Sequence, residues 1–172
     1  MMEPMRWLDR TWTFGLPARL FPVVLERLRG TPARARDLAA GVSEEILSRR
    51  DGSAWSAKEH LGHLDDLHDL DTRRLDEFLG RAPTLTAADM GNQRTETAGH
   101  NARSIDEILG RLRAHRLELV ERMDALSEAD VEVVSLHPRL KQRIRLIDWA
   151  FFVAEHDDHH LVRARHAIRW TR

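Results

Sequence analysis

The chain contains no cysteine, which excludes disulfides, thiolate metal sites and cysteine nucleophiles together. Any transition metal bound here must be held by nitrogen and oxygen. Net charge is also nearly absent: 27 basic and 28 acidic residues leave a formal charge of -1, so no global field would gather nucleic acid or an anionic membrane. Long apolar runs are missing too. The longest purely apolar stretch, Trp149 to Ala154, falls far short of the ~20 residues that span a bilayer. The leading MMEPMRWLDRTWTFGLP carries two acidic residues and no apolar segment of the length a secretory signal needs. A cytoplasmic protein with no membrane and no nucleic-acid partner is the expectation. There is neither a repeat nor a low-complexity tract, and 172 residues suffice to bury one continuous core without disulfides or a folding metal. One domain over 1–172 is expected, with 1–16 as an N-terminal extension.

What is present is helical periodicity. A first helix is predicted from about Pro17 to Ala40, with Leu20, Val24, Leu28, Ala35 and Leu38 at helical spacing. Gly30-Thr31-Pro32 predicts a kink or break within it. A second helix starts at Ser56, with Glu59 three residues on at capping-box spacing, and ends near Gly80. Residues 81–102 are polar and aperiodic, a link long enough to suggest function or a crossover. A third helix opens at Ser104, where Glu107 repeats the capping-box spacing. Residues 131–143 hold a β-branched run and then His137-Pro138, read as a loop or an irregular extended piece. A fourth helix covers about Leu146 to Trp170. Four helices, one long link and almost no strand signal predict an all-α four-helix bundle, in which sites are built from inward side chains on facing helices.

Ten histidines are present, and four of them fall within AEHDDHHLVRARH, residues 154–166. The apolar stripe of the fourth helix runs through Leu146, Ala150 and Val153 into His156 and His160, then Ala164 and Ala167. Two imidazoles four residues apart share one helix face, about 6 Å between Cβ atoms, and can converge on one ion. His159 and His166 fall off this pairing and are assigned to solvent or the rim. The second helix offers His60, His63 and His68 in WSAKEHLGHLDDLHDL, and His63 lies in line with Leu67 and Leu70. Gly62 would allow a neighbouring helix close. One histidine from the second helix and a pair from the fourth would supply three nitrogens and leave a coordination position open, as catalytic sites do.

WSAKEHLGHLDDLHDL and WAFFVAEHDDHHLVRARHAI, with the helix order and the long link, resemble the DinB/YfiT-like metalloenzyme superfamily over most of the chain. The resemblance implies an up-down-down-up bundle with the long link between helices two and three. It also implies frequent homodimers, and a metal held by His63, His156 and His160. Nickel or zinc is the metal it implies, with iron or manganese as alternatives, and its known enzymes act mostly on small thiols or thiol conjugates. The expected function is therefore metal-dependent hydrolysis or thiol transfer on a small molecule. The competing expectation is a non-catalytic homodimeric binding or sensing domain. No catalytic acid or base is assigned from the sequence.

Other residues receive simpler expectations. His60 and His68 are read as surface groups or as partners of a ligand, Asp157 and Asp158 as an exposed acidic face, and Glu59 as the capping partner of Ser56. Trp55 is expected in the core with its indole N–H on a carbonyl, and Trp149, Phe151 and Phe152 in a core or subunit interface. His137 is considered for the pocket rim. Arg139, Arg143, Arg145, Arg163, Arg165, Arg169 and Arg172 form a local basic concentration without the aromatic interleaving of a nucleic-acid surface. Histidines of ordinary pKa would release a metal as pH falls below about 6.

Overall fold

The computed structural model describes residues 2–170, so Met1, Thr171 and Arg172 lie outside the described residues. The first helical segment is two helices, α1 (Phe21–Arg29) and α2 (Thr31–Ala39). The break falls at Gly30, where Pro32 occupies the first turn of α2 and has no N–H to continue the ladder. A short α3 (Glu44–Ser48) follows. The second segment is α4 (Ala57–Asp66) and α5 (His68–Leu79), interrupted at Leu67, although the Leu67 N–H still reaches the His63 carbonyl (3.3 Å). The long link contains α6 (Gln93–Thr97) and a 3-10 turn, His100–Ala102. Then come α7 (Ile105–Asp124), a single turn α8 (Glu128–Val131), strands β1 (Val134–His137) and β2 (Gln142–Arg145), and α9 (Leu146–Trp170).

Local chemistry explains most of these boundaries. Ser56 and Glu59 form the full capping box, Ser56 Oγ accepting from the Glu59 N–H and the Ser56 N–H donating to Glu59 Oε2. At α7 only half of it forms. Ser104 Oγ accepts from the Glu107 N–H (3.2 Å), but the Glu107 carboxylate turns to Arg103 (3.9 Å). The stretch read as an irregular extended piece is an antiparallel hairpin, pairing Val134 with Arg145 and His137 with Gln142. Pro138 sits in the four-residue turn, where it owes no ladder bond, and Lys141 takes the left-handed conformation (φ 55°) that closes it. The start of the long link docks on this hairpin, the Leu85 N–H donating to the Leu136 carbonyl and the Leu136 N–H to the Pro83 carbonyl.

The four helical segments enclose two apolar clusters. One gathers Phe21, Leu25 and Leu28 with Leu75, Phe78, Leu119, Met123 and Trp149; the other gathers Ala35 and Leu38 with Leu61, Leu64, Ile108, Leu112, Leu161 and Ile168. The first and fourth segments pass from the first cluster to the second, and the second and third pass back. Between the clusters every segment contributes a buried polar residue: Thr31, Asp71, Arg116 and Asp157. Arg116 Nη2 donates to Asp157 Oδ1 (2.8 Å) and Nη1 to Asp71 Oδ2 (3.2 Å), while Thr31 Oγ1 donates to Asp157 Oδ2 (2.8 Å). This corrects the expectation of an exposed acidic face. Asp157 is wholly buried, and only Asp158, bound by Arg27 and Arg34, lies near the surface. No helix of the described residues is long and apolar enough to cross a membrane.

Candidate metal centre

The waist of the bundle that holds the polar belt also holds the histidines. About two turns inside the capped start of α4, His63 is 4 % exposed; His160 on α9 is 7 % exposed. The ligating atoms of His63, His156 and His160 all lie within 4.8 Å of one another, and among the described residues no other set of three such side chains is so placed. The two Nε2 atoms of His156 and His160 stand 3.2 Å apart. Two nitrogens on one tetrahedral ion at bonds of ~2.0–2.1 Å would be separated by about the same distance.

Hydrogen bonds set which nitrogen of His63 and of His160 faces the shared point. His63 Nδ1 meets Thr95 Oγ1 at 2.8 Å, and that hydroxyl donates onward to Asp66 Oδ2 (2.8 Å). The Thr95 proton is therefore committed, so His63 must carry its own on Nδ1 and present Nε2 as a lone pair. On the other side, His160 Nδ1 pairs with His60 Nδ1 at 3.0 Å, which leaves His160 Nε2 directed at His156. Burial pushes the His63 imidazole down to about 4 against the pull of the Asp66 carboxylate; burial, reinforced by neighbouring imidazoles and arginines, pushes that of His60 to about 3 and drives His156 and His160 well below the ordinary value. Neutral rings are the form in which histidine binds a metal, and in His63 the tautomer is fixed as well.

The residues supporting this arrangement were only partly visible in the sequence. Thr95 and His100 come from the link, whose length was their sole signal. His100 Nε2 meets the same Asp66 Oδ2 at 2.8 Å, which anchors the carboxylate behind Thr95. Burial pushes Asp66 up, but the bonds from His100 and Thr95 prevail and hold it below the ordinary carboxylate value. Gly62 does permit a close approach, though of the His100 ring rather than of a helix: a Cβ there would lie 2.3 Å from His100 Nδ1. Because that ring is 2 % exposed and bonded to Asp66, Gly62→Ala is expected to cost about 1–3 kcal/mol by overpacking. Gly110→Ala, with nothing within 4 Å, should be neutral or slightly stabilising, and thermal melts of the two variants side by side provide the check. Equal melting temperatures would contradict the packing account.

Trp55 is half-buried and gives its indole N–H to Glu96 Oε1 (2.5 Å) rather than to a carbonyl, with its ring 5.0 Å from that of His63. Trp149 is in the core as expected, and Phe152 bridges core and cavity. From the N-terminal extension, Trp7 places its ring 4.9 Å from His156 and 5.0 Å from Phe152. His68 stacks on His115 (4.0 Å), away from the triad, while His60, His159 and His137 line the same cavity as the triad, of about 330 Å³. A volume of that size suits a small molecule.

A family model described as the DinB superfamily matches residues 27–162. Among solved structures, one described as "YfiT from Bacillus subtilis is a probable metal-dependent hydrolase with an unusual four-helix bundle topology" aligns with a TM-score of 0.81 over 95% of this chain and 94% of that one. Sequence identity over that alignment is 17%, so the likeness establishes the four-helix-bundle fold. No curated protein matches the chain in sequence.

Proposed function

The chain belongs to the DinB superfamily, and from that premise we propose that His63, His156 and His160 hold one divalent metal ion at the centre of a metal-dependent enzyme acting on a small molecule. The observation that carries this reading is the convergence of three imidazoles whose partners leave a lone pair on each side of one point. Three neutral nitrogens keep the ion's full positive charge and leave a position for a ligand, so the bound metal would supply Lewis-acid activation of a water or a thiol. Hydrolysis and thiol transfer are both served by that chemistry, and the description of the YfiT structure as a probable metal-dependent hydrolase favours the first. Nickel and zinc are the metals proposed, since both accept imidazole ligands.

The chain's own residues orient the ligands and dry the site. Thr95 and Asp66 fix the His63 ring from behind, and loss of such partners typically weakens metal binding about 10–100-fold. His60 does the same for His160. Trp7 and Trp55 cover the imidazoles on two sides and exclude water from the cavity wall.

Elemental analysis of untagged protein should find near-stoichiometric metal in the parent and none in His63→Ala. His156→Ala should likewise lose the metal while retaining its helical circular dichroism, because the two apolar clusters do not include the ligands. Absence of metal in the parent after incubation with zinc and nickel would sink the reading and leave a helical-bundle binding domain in its place.

A further inference from the structure

Two buried donors in the cavity wall have no acceptor. His137, the last residue of β1, is 2 % exposed, and its Nδ1 accepts the Leu140 N–H across the hairpin turn (3.3 Å). The proton of the neutral ring therefore sits on Nε2, which is buried without a partner. Two residues on, Arg139 has a buried Nη2 that is likewise unpartnered, and among the described residues it forms no ion pair. Its guanidinium lies 5.5 Å over the Phe152 ring, whose centroid is 5.2 Å from that of His137. A half-buried cation whose buried Nη2 has no acceptor and an unpaired buried N–H are each costly, and a native fold that keeps both side by side on a cavity wall calls for a ligand.

The acidic groups of that cavity do not fill the role. Asp71 accepts from Arg116, and Asp89 accepts the backbone N–H groups of Gly91 and Gln93. Arg74, also on the wall, gives its Nε–H to the Thr86 carbonyl, and its charge is offset by Asp71, since Arg116 alone faces both Asp71 and Asp157. What remains is one positive charge and two donors, the complement of a single monoanionic group with two acceptor oxygens. A dianion such as phosphate would bring more charge than this wall balances.

We propose that His137 and Arg139 form a recognition site for a carboxylate, and that the substrate of the three-histidine centre is a small carboxylic acid whose anionic end docks there. A file of rings, His156 to Trp7 to Phe152 to His137, each about 5 Å from the next, joins the two ends of the cavity. The body of the substrate between its carboxylate and its reacting group is accordingly apolar. The inference rests on the metal-centre reading for what happens at the other end, while the carboxylate site itself does not require the metal.

Titration of the intact protein with phenylacetate, phenylpropionate and phenylbutyrate, and with their primary amides, tests the site through tryptophan fluorescence, since Trp7 lies on the wall. At least one acid is expected to bind about tenfold or more tighter than its amide, the gain of a charge-assisted pair over a neutral one. Arg139→Gln should abolish the preference and Arg139→Lys should retain part of it. Should Arg139→Gln fail to fold by circular dichroism, His137→Phe must reduce the preference in the same titration. No binding by any acid, equal binding of acid and amide, or a preference that survives Arg139→Gln would overturn the proposal. His63→Ala separates the two readings: a preference kept in that variant, or in a parent without metal, leaves the carboxylate site standing when the metal reading falls.

Discussion

Arg116→Ala is expected to cost about 3–5 kcal/mol, the range for removing one partner of a buried ion pair and leaving the other charged. Two carboxylates would be stranded rather than one, since Asp71 and Asp157 are 4 % and 0 % exposed and both accept from this guanidinium. Burial already pushes the Asp157 carboxyl up to about 6, against the pull of Arg116 and the Thr31 hydroxyl, and pushes Asp71 up as well. For a domain of this size each kcal/mol is worth about 2–4 °C, so the melting temperature should fall by on the order of 10 °C. The consequence extends to the site because Asp157 adjoins His156 and ties α9 to α2 and α7 through Thr31 and Arg116. A thermal melt and a metal titration of the variant would show both losses, and adding Asp71→Asn and Asp157→Asn should recover part of the stability by removing the stranded charges. A variant melting with the parent would show that the belt is solvated rather than buried.

Acidification of the metal-free protein should be as damaging. His63 titrates at about 4 in the fold, because burial outweighs the opposing pull of the Asp66 carboxylate, and at about 6.5 in an unfolded chain. Below 6.5 the unfolded chain binds a proton that the folded one refuses, so stability falls as pH drops from 6.5 and continues to fall until the folded ring titrates near 4. At pH 5 that amounts to about 2 kcal/mol for one such histidine. His160 and His156 act in the same direction from values pushed further down by burial, and His60 and His137, each at about 3, add to them. Asp157 and Asp71 work oppositely because burial raises both: Asp157, at about 6 against 3.8 unfolded, gains stability as pH falls between those values. The histidines outnumber these two carboxyls, so melting temperature should drop steeply between pH 6.5 and 4.5. A flat profile over that interval would mean the rings are hydrated. The same burial lowers the pH of metal release: proton competition at a His63 near 4 begins well below the pH of about 6 expected for exposed imidazoles.

The helices were legible because their signals are local. Ser56 with Glu59, the Gly30-Pro32 break, the polar link and the stripe running from Val153 into His156 and His160 all act within a turn or two of chain. The hairpin at 134–145 was less so, because its short strands are stabilised by pairing with each other and with Leu85, a contact no local window contains. Asp157 was misread for a related reason. An acidic residue between histidines in a charged stretch resembles a solvated face, and only the arrival of Arg116 from α7 makes its burial tolerable.

Sequence alone therefore determined the four-helix bundle and the exclusion of thiolate chemistry, and it pointed to His63, His156 and His160, which the fold brings together. Tertiary structure decided which nitrogen His63 and His160 turn toward the shared point, through Thr95, Asp66 and His60, and it placed Trp7, His137 and Arg139 on one cavity. The division is physical. Helical phase is set by neighbours three and four residues away, whereas tautomer, burial and charge balance are set by atoms that meet only after the chain has folded.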